Sequence, residues 1–197
     1  MRQVREWLYI GNADDAGSFV SGSWHGFTHI LTLAPVCLGD GCNFIKVVPE
    51  YRMEEFVRVA RQLQEKRPGF AGTPPVRKIV PLVDEESQDI AQVLRECLGF
   101  IDRGVEEGIV LVHCIGGFSR SASVVTAYLM WKEGLGMDEA LESLRRCKEG
   151  IRPNAGFIKQ LREFEQRGDE FDVLQDRETE HKAMEYRCKL CKREMVV

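Results

Sequence analysis

Residues 109–121 read Ile109-Val-Leu-Val-His-Cys-Ile-Gly-Gly-Phe-Ser-Arg-Ser121. The run 109–113 is apolar and compact, too short for a helix and suited to a strand buried on both faces. From Ser119 onward the pattern predicts a helix, extending to about residue 132. Between them lies a turn containing Gly116 and Gly117, residues that allow tight curvature and close backbone approach to a ligand. A strand that ends in such a turn and leads directly into a helix aims several backbone N–H groups at one spot. The helix N-terminus adds unpaired donors and roughly half a positive charge. This stretch therefore predicts an anion cradle within an α/β architecture.

The side chains on the turn specify what the anion is for. Cys114 and Arg120 are six positions apart, so they stand at opposite ends of one loop and face the same bound dianion. Converging amides and a guanidinium favour thiolate over thiol, and thiolate is the nucleophilic form. Arg120 offers a planar fork to two phosphate oxygens, which lysine cannot reproduce, and suits charge spread over equatorial oxygens in a phosphoryl-transfer transition state. Ser121 can donate a hydroxyl hydrogen bond to the sulfur and so stabilise it as a leaving group. His113 is expected to orient the loop rather than carry protons. Ile115, Gly116, Gly117, Phe118 and Ser119 form the interior and rim of the substrate cradle. A cysteine at a strand end is, alone, more often a buried and inert thiol. The paired glycines, Ser-Arg-Ser and the strand-to-helix setting together displace that reading.

Outward from the cradle, strands are expected at residues 4–10, 28–33 and 77–83, with a further short apolar run at 44–48. A helix over 52–67 stops at Pro68-Gly69 and leads into a loop to residue 75. Ser87 is the expected N-cap of a long amphipathic helix ending near Glu107, with Ile90, Val93, Leu94, Cys97 and Ile101 on one face. Two more helices span 138–147 and 154–166. Alternation of strands and helices predicts a central, mostly parallel sheet flanked by helices on both faces. The pattern fails beyond Gly168. Residues 1–168 are therefore read as one catalytic domain, and 169–197 as a charged linker followed by a short cysteine-containing segment.

Bulk properties fit this reading. The chain has 197 residues, 44% hydrophobic and 29% charged, as expected for a globular protein with one domain of ordinary size. A net charge of -4 gives no global attraction to nucleic acid or anionic membranes, so any anion site must be local. The first twelve residues do not read as a secretory signal, and no stretch approaches a membrane span. Seven cysteines without such a signal suggest reduced thiols and a cytoplasmic or nuclear setting.

The phrase His113-Cys114-x-x-Gly117-x-Ser119-Arg120-Ser121 resembles the signature of the dual-specificity protein phosphatases. The resemblance spans roughly residues 4–167 and includes Arg152-Pro153-Asn154, Phe157, Gln160-Leu161 and Phe164-Glu165. It implies the compact cysteine-phosphatase fold and a two-step mechanism through phosphocysteine, with no cofactor. It also implies a general acid on a loop beside the cradle, because an alkoxide leaves poorly without a proton. Asp84, thirty residues before Cys114 and at the end of an expected strand, aligns with that position. Glu85, Glu86 and Asp89 compete, but the family pattern aligns on Asp84, and Asp89 falls inside the expected helix. An aspartate after a strand is otherwise an ordinary solvated turn residue.

Tyrosine-specific relatives carry Trp-Pro-Asp at the acid and an aromatic recognition loop. Here Leu82-Val83 precede Asp84, and no such loop is evident. A shallower pocket admits phosphoserine and phosphothreonine as well as phosphotyrosine on protein substrates. The cradle interior has no Lys or Arg at 115–119, which disfavours phosphoinositides and RNA ends, the alternative substrates. Phe118 sits either at the rim or in the core.

The tail phrase Tyr186-Arg-Cys188-Lys-Leu-Cys191-Lys-Arg193 places Cys188 and Cys191 at the spacing of half a tetrahedral zinc site. It resembles the start of the cysteine-rich domain in a subgroup with a C-terminal zinc-binding domain linked to ribosome maturation. That implies zinc in a longer protein and a ribosomal particle as partner, with docking the main role and catalysis incidental as the competing reading. A catalytically dead module that recognises phosphoproteins is another. Cys37 and Cys42 are read as loop or core thiols, and 52–75 as an inserted helix and loop packing on the core.

Overall fold

The computed structural model describes residues 1–17, 26–34 and 75–167, and the backbone of residues 186–187 and 194–195. In chain order the elements are β1 (Arg2–Arg5), β2 (Leu8–Gly11), α1 (Ala13–Gly17), β3 (His29–Leu33), β4 (Val76–Val80), α2 (Ala91–Glu107) and β5 (Val110–His113). They continue with α3 (Arg120–Glu133), α4 (Met137–Cys147), α5 (Ala155–Arg167) and the two-residue strands β6 (Tyr186–Arg187) and β7 (Glu194–Met195). The apolar run 44–48, the helix expected over 52–67, the loop up to residue 74, Cys37, Cys42, Cys188, Cys191 and most of the stretch read as linker lie outside the described residues. At the end of that stretch, β6 pairs antiparallel with β7.

Five strands form one sheet in the order β1-β2-β5-β3-β4, parallel throughout except for β1 against β2. All four residues of β5 are buried, as its unbroken apolar sequence requires. Val110 and Val112 enter the main core, whereas the alternating residues Leu111 and His113 face the other side of the sheet. The expected single strand over 4–10 is instead a hairpin, turning at Glu6 and Trp7 with β1 antiparallel to β2. Its apolar alternation survives because Val4, Leu8 and Ile10 all remain buried. The hairpin edge is tied to the end of α3 by a two-pronged contact of Arg5 with Glu133 at 2.7 and 2.8 Å.

The helices flank this sheet. α2 presents Leu94, Cys97, Leu98 and Ile101 to the core at helical spacing. It begins at Ala91, not near Ser87: Ile90 occupies the cap position, and the carboxylate of Asp89 accepts the Ala91 N–H at 2.9 Å. Asp89 therefore precedes the helix, contrary to the sequence expectation, and its carboxylate is engaged there. β4 likewise ends at Val80, leaving 81–90 as an irregular segment above the strand ends. α3 is buried on all sides from Arg120 to Met130 and packs against α2, α4, α5, β2 and β5. α5 buries Phe157, Leu161 and Phe164 along one stripe. Among the described residues no helix is long and apolar enough to cross a membrane.

Register places the site. β5 aligns His113 with Gly11 of β2 and Thr32 of β3, so three strands end level with one another where the cradle begins. The His113 ring bridges them: Nε2 lies 2.8 Å from Thr32 Oγ1, and Nδ1 lies 3.4 Å from the Cys114 carbonyl oxygen. A carbonyl can only accept, so Nδ1 carries the proton and Nε2 accepts the Thr32 hydroxyl. Burial, opposed by the hydrogen bond to that carbonyl, holds the imidazole down to about 4 from its ordinary 6.5.

The sign of the consequence follows from linkage. The unfolded chain takes up a proton on His113 near pH 6.5, while the folded chain resists it until about pH 4. Stability contributed by the neutral ring is complete above the upper value and declines as pH falls through this window. His29, also lowered chiefly by burial, adds to the same trend. We expect urea midpoints to drop between pH 7 and pH 5, with a smaller drop in His113→Gln. An equal pH slope in the variant would remove His113 from this account.

Candidate active site

The cradle follows β5 without interruption. Its backbone is pinned from below by the Ala13 N–H, which donates to the Ile115 carbonyl at 3.0 Å. Gly117 has φ of +72°, and a Cβ there would lie 2.6 Å from the Gly11 carbonyl oxygen, so this turn requires glycine twice over. Gly116 has no positive φ; a Cβ there would meet the Phe118 ring at 3.0 Å. Of the two glycines, Gly117 is the one that takes the positive φ expected of this turn.

Cys114 lies at the floor of this loop, 2% exposed. Its Sγ accepts the Gly117 N–H at 3.1 Å and lies 3.3 Å from Ser121 Oγ. Both groups can donate to a sulfur anion, and neither Gly117 nor Ser121 is charged, so the attraction is local and directional. Arg120 opens α3 with its side chain turned inward at 6% exposure. Its Nη1 donates to the Leu82 carbonyl at 3.2 Å, which fixes the plane of the guanidinium. Its Nε is buried, makes no hydrogen bond, and lies 3.7 Å from Asp84 Oδ2. An N–H group left in that state suits an incoming phosphate oxygen.

Asp84 stands in the irregular segment after β4. Its Oδ1 accepts the Ser119 hydroxyl at 2.6 Å and the Asn154 Nδ2 amide at 3.0 Å. The Ser119 side chain therefore faces the acid segment. Its backbone carbonyl accepts the Ser123 N–H at the start of α3. Phe118 is at the rim, 37% exposed. The Lys148 ammonium stands 4.8 Å from its ring centroid and the Arg152 guanidinium 5.7 Å. The Arg152 N–H also donates to the Phe118 carbonyl.

The structure thus brings Cys114, Arg120, Ser121, His113 and Asp84 to one end of the sheet, with residues 115–119 looping between them. Sequence reasoning missed Leu82, whose contribution is a carbonyl, and Thr32, which meets His113 only through strand register. It noted Asn154 solely as part of a recurring phrase. Glu85 and Glu86 are exposed neighbours of Asp84. Among the described residues no group of three or more His, Cys, Asp or Glu side chains is gathered as a metal site would require.

The sequence profile of the family described as "Dual specificity phosphatase, catalytic domain" matches residues 8–167, ending with the last residue of α5. Dual specificity protein phosphatase 1B of Arabidopsis thaliana is 37% identical over 168 residues, covering 84% of this chain and 81% of that protein. Human dual specificity protein phosphatase 6 is 44% identical over 157 residues, which are 77% of this chain but 40% of the human protein. Among solved structures, the human tyrosine phosphatase-like serine/threonine/tyrosine-interacting protein is similar with a TM-score of 0.65 at 26% identity, over 85% of this chain and 96% of that one. Catalysis in the matched family needs no cofactor. A profile that runs from β2 to the end of α5, around a cradle built on Cys114 and Arg120, places this chain among the dual specificity protein phosphatases.

Proposed function

We propose that the protein hydrolyses phosphotyrosine and phosphoserine or phosphothreonine on protein substrates through a phosphocysteine on Cys114, within a catalytic unit spanning residues 1–168. The observation that carries this reading is the pairing of a sulfur contacted by Gly117 N–H and Ser121 Oγ with an inward guanidinium whose Nε has no hydrogen-bond partner.

In the first step Cys114 Sγ attacks phosphorus, forming the S–P bond as the ester P–O bond breaks. The electron pair stays on the departing oxygen, which takes a proton from Asp84. Arg120 and the cradle amides hold the three equatorial oxygens while their charge redistributes. In the second step water attacks phosphorus, Asp84 receives its proton, and the S–P bond breaks. Ser121 then donates to the departing thiolate. His113, neutral and bonded on both nitrogens, keeps the strand end and the Cys114 carbonyl in place.

Absence of Lys and Arg at 115–119 supports protein phosphate over lipid head groups or RNA ends, which present several phosphates at once. Lys148 and Arg152 stand over the Phe118 ring at the rim, outside residues 115–119. A role on a ribosomal particle, with zinc held by Cys188, Cys191 and further ligands, has only the phrase 186–193 in its favour. Retention of that role by a Cys114→Ser protein in cells would separate docking from catalysis.

Cys114→Ser is expected to abolish turnover of an aryl phosphate while preserving phosphate or sulfate binding, measured by titration calorimetry. Residual turnover near wild type would sink the covalent mechanism. Asp84→Asn is expected to slow phosphopeptide hydrolysis by roughly 10²–10⁴. Aryl esters with good leaving groups should lose much less. A large, selective effect from Glu85 or Glu86 instead would transfer the acid role to that residue.

A further inference from the structure

Both hydrogen bonds to the Asp84 carboxylate end on one oxygen, and one of the donors is the residue that caps α5. The Asn154 side chain uses both ends of its amide. Its Oδ1 accepts the Phe157 N–H at 2.9 Å, the capping bond at the N-terminus of α5. Because a backbone N–H can only donate, the oxygen must face Phe157, and the nitrogen must therefore face Asp84. Nδ2 donates to Asp84 Oδ1 at 3.0 Å. The backbone N–H of Asn154 meanwhile donates to Ser119 Oγ at 3.2 Å, and the Ser119 hydroxyl passes its own hydrogen to the same Oδ1 at 2.6 Å. Two donors thus converge on one carboxylate oxygen. The other, Oδ2, is the oxygen near Arg120, whose Nε lies 3.7 Å away.

The rest of the acid segment is fastened to the same helix. Gln160 accepts the Ile90 N–H through Oε1 and donates to the Gln88 carbonyl through Nε2, both at 2.8 Å. Between these anchors Gly156 lets the helix touch the segment, since a Cβ there would stand 1.9 Å from the Glu86 carbonyl oxygen. Gly156 and Gln160, four positions apart, share one side of α5 and meet residues 86–90, and Asn154, just before the helix, meets Asp84.

We propose that Asn154 is a positioning residue for the proton donor, acting with Ser119 to occupy Asp84 Oδ1 so that Oδ2 carries and delivers the proton. This rests on the reading of Asp84 as the general acid. A proton on Oδ1 would point at Asn154 Nδ2, which has only hydrogens to offer, or displace the Ser119 hydroxyl. A proton on Oδ2 conflicts with neither bond and sits on the Arg120 side, toward the cradle. Asn154 does not touch substrate. It fixes the rotation of a carboxyl group, and misplacement by about 1 Å can cost on the order of 10² in rate.

The test is Asn154→Ser, which retains an oxygen able to cap Phe157 but removes the donor to Asp84. We expect an unfolding temperature near wild type. Hydrolysis of phosphoserine peptides should fall roughly 10- to 100-fold, while an aryl phosphate with a good leaving group falls less than about threefold. The dependence of kcat on leaving-group pKa should steepen accordingly. In an Asp84→Asn background the same substitution should add almost nothing, because its target oxygen no longer delivers a proton. Equal losses for both substrates, or full additivity with Asp84→Asn, would overturn the proposal. If Asp84→Asn itself shows no leaving-group selectivity, the acid assignment fails instead. Should Asn154→Ser prove unstable, Asn154→Thr carries the same test, since it too keeps an oxygen able to cap Phe157 and has no amide to donate to Asp84.

Discussion

The buried guanidinium of Arg120 is the constraint around which this domain is arranged. Removing a cation from water is costly unless its hydrogen bonds and charge are answered nearby. Here one arm is answered by the Leu82 carbonyl and the charge is partly answered by Asp84, while Nε is left without a hydrogen bond. A phosphate dianion is the natural completion of such a set. The same residue opens α3, so the helix that supplies the positive end of its dipole to the cradle also anchors the charge that faces it. Binding and architecture are therefore one arrangement, and the acid segment is drawn into it because both Leu82 and Asp84 lie there.

Much of this could be read from residues 109–121, because the chemistry is local in the chain. A short buried strand, a glycine turn and a helix start place Cys114 and Arg120 by geometry that spans only a few residues. The hairpin at the N-terminus was not legible: an alternating apolar pattern continues in phase across the turn at Glu6 and Trp7. The start of α2 was misjudged because Ser87 has the right chemistry for a cap, yet the segment after β4 is held out of helical conformation by its contacts with Gln160 and Gly156. Those contacts join residues some seventy positions apart, and no periodicity announces them.

Ser119 illustrates the same limit at atomic scale. Its place inside the cradle phrase is evident from sequence, but the direction of its hydroxyl depends on where Asn154 and Asp84 come to rest. Phe118 is the converse case. Neither core nor rim is excluded by sequence, and the outcome is decided by Lys148 and Arg152 arriving from the α4–α5 connection to stand over its ring.

The burial of α3 from Arg120 to Met130 has a consequence for how the molecule opens. A helix enclosed by three other helices and two strands cannot fray separately from the rest, so its first turn shares the protection of the deepest core. Amide hydrogens there should exchange with solvent only through global unfolding. Arg120, on that first turn, keeps its place until the surrounding core opens, and the grip on an anion is lost with it.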